Sequence, residues 1–290
     1  MLIQKIYQEY QLVKKERGSI VDPNWQVVEV KGADREKFLN NMLSQNIAEQ
    51  PINQRKWACL LTNKGKLIGF FQVWKLKDRC LLVMHQSQSE TVMKTLDMYA
   101  LADDVTFSKL TDIHVIFIFG NSSGVANQIE DGDEIKCTLD DFSIPCTQVL
   151  SKKQNTSGIV MSPELFESIR VQSGFPIPQK DYEDPLPLEV PFMVKGVAFQ
   201  KGCYVGQETV NRVWSRGMNV SKKLLRFSCG IDSTIEIGNL VFSEGSEVGK
   251  VTSLTVSPTT DQRVGLAWIH RNAFDKPATV NNQVIEIQYE

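Results

Sequence analysis

The 290-residue chain has no apolar run approaching the roughly eighteen residues that a membrane-spanning helix needs. Its amino terminus, Met1 to Gly18, mixes Lys5, Lys14, Lys15 and Arg17 with Glu9 and Glu16, and it lacks the apolar stretch and small-residue cleavage site of a secretory leader. A cytoplasmic protein without a membrane role is the expectation. An excess of either charge is also lacking: 32 Lys and Arg stand against 34 Asp and Glu, for a formal net charge of -2. Nothing in that balance calls for a phosphate backbone, so direct nucleic-acid binding is not expected. The six cysteines, Cys59, Cys80, Cys137, Cys146, Cys203 and Cys229, include no C-x-x-C pair. The three histidines, His85, His114 and His270, lie far apart. Free thiols are expected, with neither a disulfide framework nor a zinc site.

What is present is globular composition, 42% hydrophobic and 23% charged, enough for one large domain or two to three small ones. Trp25 to Val30 reads as a strand. Gly32 then turns the chain into a helix capped by Asp34, with Phe38, Leu39, Met42 and Leu43 on one face. Trp57 to Leu61, Leu67 to Leu76 and Cys80 to Met84 read as strands joined by hairpin turns at Asn63–Lys66 and Lys77–Arg79. Val92, Met93, Leu96 and Tyr99 recur at helical spacing, and His114 to Phe119 is a nearly continuous apolar strand before a loop at 121–124. Ser162 and Pro163 have the order of a helix cap and first helical residue, with Leu165, Phe166 and Ile169 turned inward and a stop at Gly174. Phe175 to Pro191 holds five prolines and several charges and is expected to cross the surface as a loop. From Lys222 onward short β-like runs, Leu224 to Phe227, Leu240 to Phe242, Val248 to Thr252, Gly265 to Ile269 and Val284 to Ile287, suggest a small antiparallel barrel. Most of the five tryptophans are expected in the core.

The segment Lys201-Gly202-Cys203-Tyr204-Val205-Gly206-Gln207-Glu208 stands between the proline-rich stretch and the barrel. Its two glycines permit a tight turn or a close backbone approach, and Cys203, Gln207 and Glu208 supply a thiol and polar groups. Lys201 and Arg212 would favour a thiolate if their side chains converged on Cys203. A plainer alternative makes Cys203 a small buried hydrophobe and pairs Glu208 with Arg212 at helical i,i+4 spacing.

This octapeptide, followed by Arg212, resembles the KGC(F/Y)xGQE signature of the YgfZ proteins and their mitochondrial iron-sulfur assembly relatives. Further stretches fall in the family's order: Gly32-Ala33-Asp34 with Phe38-Leu39, Asn63–Lys66, Ile169 to Gly174 and Gly265-Leu266-Ala267. The resemblance implies an α+β cloverleaf within the glycine-cleavage T-protein superfamily: two mixed α/β, ferredoxin-like units and a C-terminal antiparallel β-barrel around a central folate channel. The corresponding divisions are 1–48 plus 140–220 for the unit carrying the motif, 49–139 for the second and 221–290 for the barrel. It further implies tetrahydrofolate or a derivative as ligand, iron-sulfur client enzymes or assembly proteins as partners, a link to tRNA modification, and Cys203 as the key thiol. Gln172, Lys201, Tyr204, Arg170 and Trp214 are the expected folate contacts, Trp214 by stacking on the pterin. Two departures separate the chain from the aminomethyltransferases of the superfamily. The stretch Lys64 to Phe71, where those enzymes carry an acid, has no Asp or Glu, and Gln172 stands where they usually place a pterin-binding glutamate. An accessory factor is therefore expected over an aminomethyltransferase. The alternative is a folate-dependent one-carbon transferase or oxidase, with Lys201, Glu208 or Tyr204 handling the proton.

Overall fold

The computed structural model describes residues 2–121, 124–154 and 158–289; Ser122 and Ser123 of the expected 121–124 loop lie outside them. Five helices are named here: α1 (Leu2–Glu16), α2 (Arg35–Met42), α3 (Gln86–Tyr99), α4 (Pro163–Gln172) and α5 (Gln207–Ser215). Among the described residues no helix is long and apolar enough to cross a membrane.

The hairpin-linked runs build a five-stranded antiparallel sheet in the order Gln54–Leu61, Leu67–Lys75, Cys80–His85, Trp25–Lys31, Thr106–Leu110. Its central strands are apolar almost throughout because both faces are covered. One face, with Phe71, Val73, Leu82 and Met84, packs on α2 and α3. On the other, Trp74, Leu81 and Val83 share a cluster with Phe117, Phe119 and Leu150 of a second sheet and with residues of α1 and α4. That second, six-stranded sheet runs Ile159–Val160, Gly18–Val21, His114–Phe119, Cys146–Ser151, Ile135–Leu139, Ile129–Glu130. Strand pairing crosses two of the expected divisions. Trp25–Lys31 pairs with Cys80–His85, and His114–Phe119 pairs with Cys146–Ser151. From Lys222 to Gln288 the chain closes a six-stranded barrel, including a short strand, Ala278–Val280, that the sequence did not announce.

Local capping follows the sequence in one helix and departs from it in another. Ser162 accepts a hydrogen bond from the Leu165 amide at 3.2 Å, with Pro163 in the first turn of α4. Asp34 occupies the cap position of α2 without capping it, because its carboxylate accepts from the Asp104 amide at 2.9 Å instead. Helix α1 was not anticipated. Its buried residues Ile6, Tyr10 and Val13 have helical spacing, and Glu9 anchors it by accepting from the Ser162 hydroxyl at 2.6 Å.

The largest correction concerns Phe175 to Pro191. Instead of a solvated loop, it is a buried strap between α4, the five-stranded sheet and the barrel, with Phe175, Tyr182, Leu188 and Val190 in a common apolar cluster. Its prolines carry no N–H that burial would strand. Lys180, Glu183 and Asp184 face solvent, and the most deeply buried charge is paired: Arg170 of α4 and Asp181 of the strap, 1% and 0% exposed, meet at 2.8 Å. The other Asp181 oxygen accepts from Thr252 and Ser253 of the barrel at 2.9 and 2.6 Å. Arg170 donates further to the Phe175 carbonyl, Ser253 and Glu167. The Trp268 indole closes the joint on the Asp181 carbonyl at 2.8 Å. Asp181→Ala would leave the buried guanidinium with only the half-buried Glu167 carboxylate and strip the Thr252 and Ser253 hydroxyls of their acceptor, and urea unfolding should show a loss of about 3 kcal/mol. Glu167→Ala, at a half-buried position, should lose markedly less.

Candidate functional site

The face of the five-stranded sheet that looks toward the strap carries Trp57 and Phe70, whose rings stack at 4.5 Å and 10°. Phe175 stands edge-on to Trp57 at 5.8 Å and reaches toward Trp25 at 6.2 Å. With Tyr182 these rings wall a narrow, partly enclosed pocket of about 40 Å³, with Arg170 among its lining residues. Trp57 is fixed from behind, since its indole donates to Asp141 at 2.9 Å and Asp141 pairs with Arg55 at 2.6 Å. Burial alone would raise the Asp141 carboxyl, but the Arg55 and Lys195 charges and the donors from Arg55 and Trp57 outweigh it and hold the group below its usual value. The polar edge of the pocket is sparse. Gln88 of α3 donates to the Tyr182 hydroxyl at 3.3 Å. Asp22 is occupied by the Asn24 amide and the Trp25 indole at 2.9 and 3.1 Å. His85 is kept toward its neutral form chiefly by burial, against the opposing charge of Asp22.

The KGCYVGQE segment is built against the Asn63–Lys66 turn. Gly206, at φ +83°, caps α5, and a Cβ there would meet the Thr62 carbonyl oxygen at 2.5 Å and the Gly65 Cα at 3.1 Å. Gly65, at φ +76°, would in turn press on Thr209 at 2.9 Å. Two glycines thus let two backbones touch. Gly202 has no such duty, since a Cβ there meets nothing within 4 Å. Lys201 turns away from Cys203 and donates to the carbonyls of Asn40, Leu43 and Gln45 at 2.6, 2.7 and 2.8 Å, closing the end of α2. Burial pushes its pKa down to about 8, while three acceptors for three ammonium protons at a helix C-terminus hold the charged form. Gln207 and Glu208 open α5, and among the described residues no ion pair joins Glu208 to Arg212.

Cys203 is exposed, while the other five cysteines are buried. Burial pushes Cys59, Cys80 and Cys137 up to about 12, 11 and 12, which leaves them without thiolate at neutral pH. Tyr204 points inward, 7% exposed, into the cluster that holds Trp57, Phe70, Phe175 and Tyr182, and its hydroxyl has no partner. Of the expected folate contacts, the structure therefore puts Arg170 at the pocket and Tyr204 behind its wall. Gln172 lies elsewhere, donating to Thr259 at 2.8 Å and accepting from Ser257 at 3.2 Å on the barrel side. Trp214, 40% exposed, stacks on Phe199 at 4.7 Å and not on the pocket. Sequence reasoning missed Trp57, Phe70, Phe175, Tyr182 and Gln88 as pocket residues. Their only sequence signal is apolar strand or proline-rich context, which reads as core.

Comparison with known proteins agrees with this architecture. The model of the glycine cleavage T-protein C-terminal barrel domain matches residues 222–289. A tRNA-modifying protein YgfZ of Vibrio atlanticus is 22% identical over 275 residues, covering 87% of this chain and 84% of that one. A putative chloroplastic transferase of Arabidopsis thaliana is 22% identical over 290 residues, covering 89% of this chain and 65% of that protein. The crystal structure of the glycine cleavage system aminomethyltransferase T from Bartonella henselae superposes with a TM-score of 0.83 at 13% identity, covering 98% of this chain and 88% of that one. A glycine at the contact of the motif with the hairpin turn should be irreplaceable where a glycine in open space is not. Gly206→Ala is expected to cost roughly 2 kcal/mol or more by thermal unfolding, and Gly202→Ala less than about 0.5 kcal/mol.

Proposed function

We propose that this chain, with the fold of the glycine-cleavage T-protein superfamily and sequence relatives among the YgfZ proteins, is a cytoplasmic tetrahydrofolate-binding accessory factor for iron-sulfur client enzymes. The observation that carries the reading is the aromatic pocket. A flat pterin is the shape that the Trp57–Phe70 pair and the rings of Phe175 and Tyr182 would grip once they part from the narrow space now between them, with the Gln88 amide able to meet its polar edge. Tetrahydrofolate, when bound, supplies ring nitrogens that carry one-carbon units.

The protein's own groups argue against transfer chemistry. Asp22, the carboxylate at the pocket, is spent on Asn24 and Trp25, and Asp181 is held by Arg170. No carboxylate is thereby left free to move a proton there. Cys203 instead offers an accessible sulfur on a surface loop, with the five other thiols sealed inside. Iron-sulfur clusters are held by several thiolates, so Cys203 contributes one ligand to a site that a client or assembly protein completes. The relatives' link to tRNA modification enters as a property of the clients. The net charge of -2 does not by itself call for an RNA backbone.

Anaerobic calorimetry with tetrahydrofolate should give saturable binding, weakened about tenfold or more by Trp57→Ala, which removes the stacking surface. No heat at several hundred micromolar ligand, set well above an ordinary cofactor affinity, would overturn the folate reading. Cys203→Ser should keep the fold and the folate affinity while failing to restore iron-sulfur enzyme activity in cells that lack the protein. Full restoration would remove the thiol from the function.

A further inference from the structure

Between Lys201 and Gly230 stand six basic side chains and one acidic, Glu208, although over the full length acidic residues are in excess. Two of the six lie at the end of α5. Val210 is the buried residue of this helix, while Arg212 and, one turn on at the C-cap, Arg216 are exposed. Between them Trp214 keeps 40% of its surface in solvent and stacks on Phe199 at 4.7 Å and 20°. Phe199 precedes Cys203 by four residues, a span of at most about 14 Å, so the stack holds this end of the helix beside the run that carries the exposed thiol. Arg271 joins from the barrel, its amide donating to the Ser221 carbonyl at 2.9 Å and its guanidinium to Asn219 at 3.5 Å, three residues after Arg216. Among the described residues none of these three arginines is in an ion pair. Arg212 and Arg216 complement the carbonyls at the helix C-terminus, but Arg271 has no such duty.

We propose that this face, Arg212, Trp214, Arg216 and Arg271, docks the client or assembly protein through an acidic surface that brings its cluster ligands to Cys203. The inference rests on the accessory-factor reading above and adds the chemistry of the partner. An iron-sulfur cluster with its thiolates is an anion, and a positive face speeds the arrival of an anionic surface and fixes its orientation. Exposed Trp and Arg are also the residue types that most often anchor protein partners. A nucleic acid would answer the same charge, but the thiol beside the face has chemistry with a protein's sulfurs and cluster and none with a phosphate backbone. One side of the Trp214 ring is moreover already spent on Phe199, which leaves less of it for a base.

The test uses short peptides, each with one cysteine activated as a pyridyl disulfide and otherwise rich in Glu, Gln or Lys. The Cys203 thiolate attacks the peptide sulfur, a mixed disulfide forms, and pyridinethione leaves, taking a proton from water; rates are normalised to those of the same peptides with mercaptoethanol. At about 0.01 M salt the wild type should react roughly tenfold faster with the acidic peptide than with the neutral one, and slowest with the basic one. At about 1 M salt the three should agree within about twofold. Arg212→Glu with Arg216→Glu, both at exposed positions, should reverse that order while melting near wild type and reacting with neutral iodoacetamide within about twofold of the wild-type rate. Equal rates in the wild type, or an acidic preference that survives the charge reversal, would overturn the proposal. So would an RNA hairpin that binds at about 0.15 M salt and blocks the acidic peptide, since the face would then belong to nucleic acid. The assay needs neither folate nor client, so its failure is separate from failure of the accessory-factor reading, which Cys203→Ser in cells decides.

Discussion

The buried pair between Arg170 and Asp181 is the constraint on which the rest of the molecule depends. It joins three parts, the helix α4, the proline-rich strap, and the barrel through Thr252, Ser253 and Trp268. Two charges taken out of water are expensive, and they are tolerated here because almost every lone pair and N–H of the pair has a partner. The geometric result matters more than the energy. With Asp181 fixed, Phe175 and Tyr182 on either side of it along the strap are presented to Trp57 and Phe70, and a pocket exists.

The same economy explains the walls. Trp57 is oriented by Asp141, which is itself held by Arg55, so an aromatic surface on one strand is backed by a charged lock behind it. Side chains supported in this way lose little further freedom on binding a flat ligand, which is the condition for affinity without many hydrogen bonds. The carboxylate at the pocket, Asp22, is already committed to Asn24 and Trp25.

What could be read from sequence depended on the range of the interactions. The hairpins at Asn63–Lys66 and Lys77–Arg79, the α4 cap at Ser162 and the barrel strands are set by neighbours a few residues apart, and those expectations stand. The two-residue strands Ile129–Glu130 and Ile159–Val160 carry no pattern long enough to detect. The strap was misread because five prolines and the run Lys180 to Asp184 look solvated until Arg170 is placed beside Asp181. In the motif the unusual residues were visible, but not their tasks. Lys201 serves three main-chain carbonyls some 160 positions earlier, which any sequence possesses, and Gln172 is taken by Ser257 and Thr259. Trp214 drew attention by nearness in sequence, whereas the tryptophans that wall the pocket, Trp25 and Trp57, are far from the motif along the chain.

The sealing of five cysteines against one has a consequence for the life of the molecule in an oxidising cell. Electrophiles that act on thiols can reach Cys203 and not the five buried cysteines, so thiol modification of the folded chain is confined to one position. A first oxidation there is reversible by ordinary thiols and leaves the folded frame intact. Treatment of the folded chain with a thiol-directed reagent should therefore add one adduct mass, at Cys203.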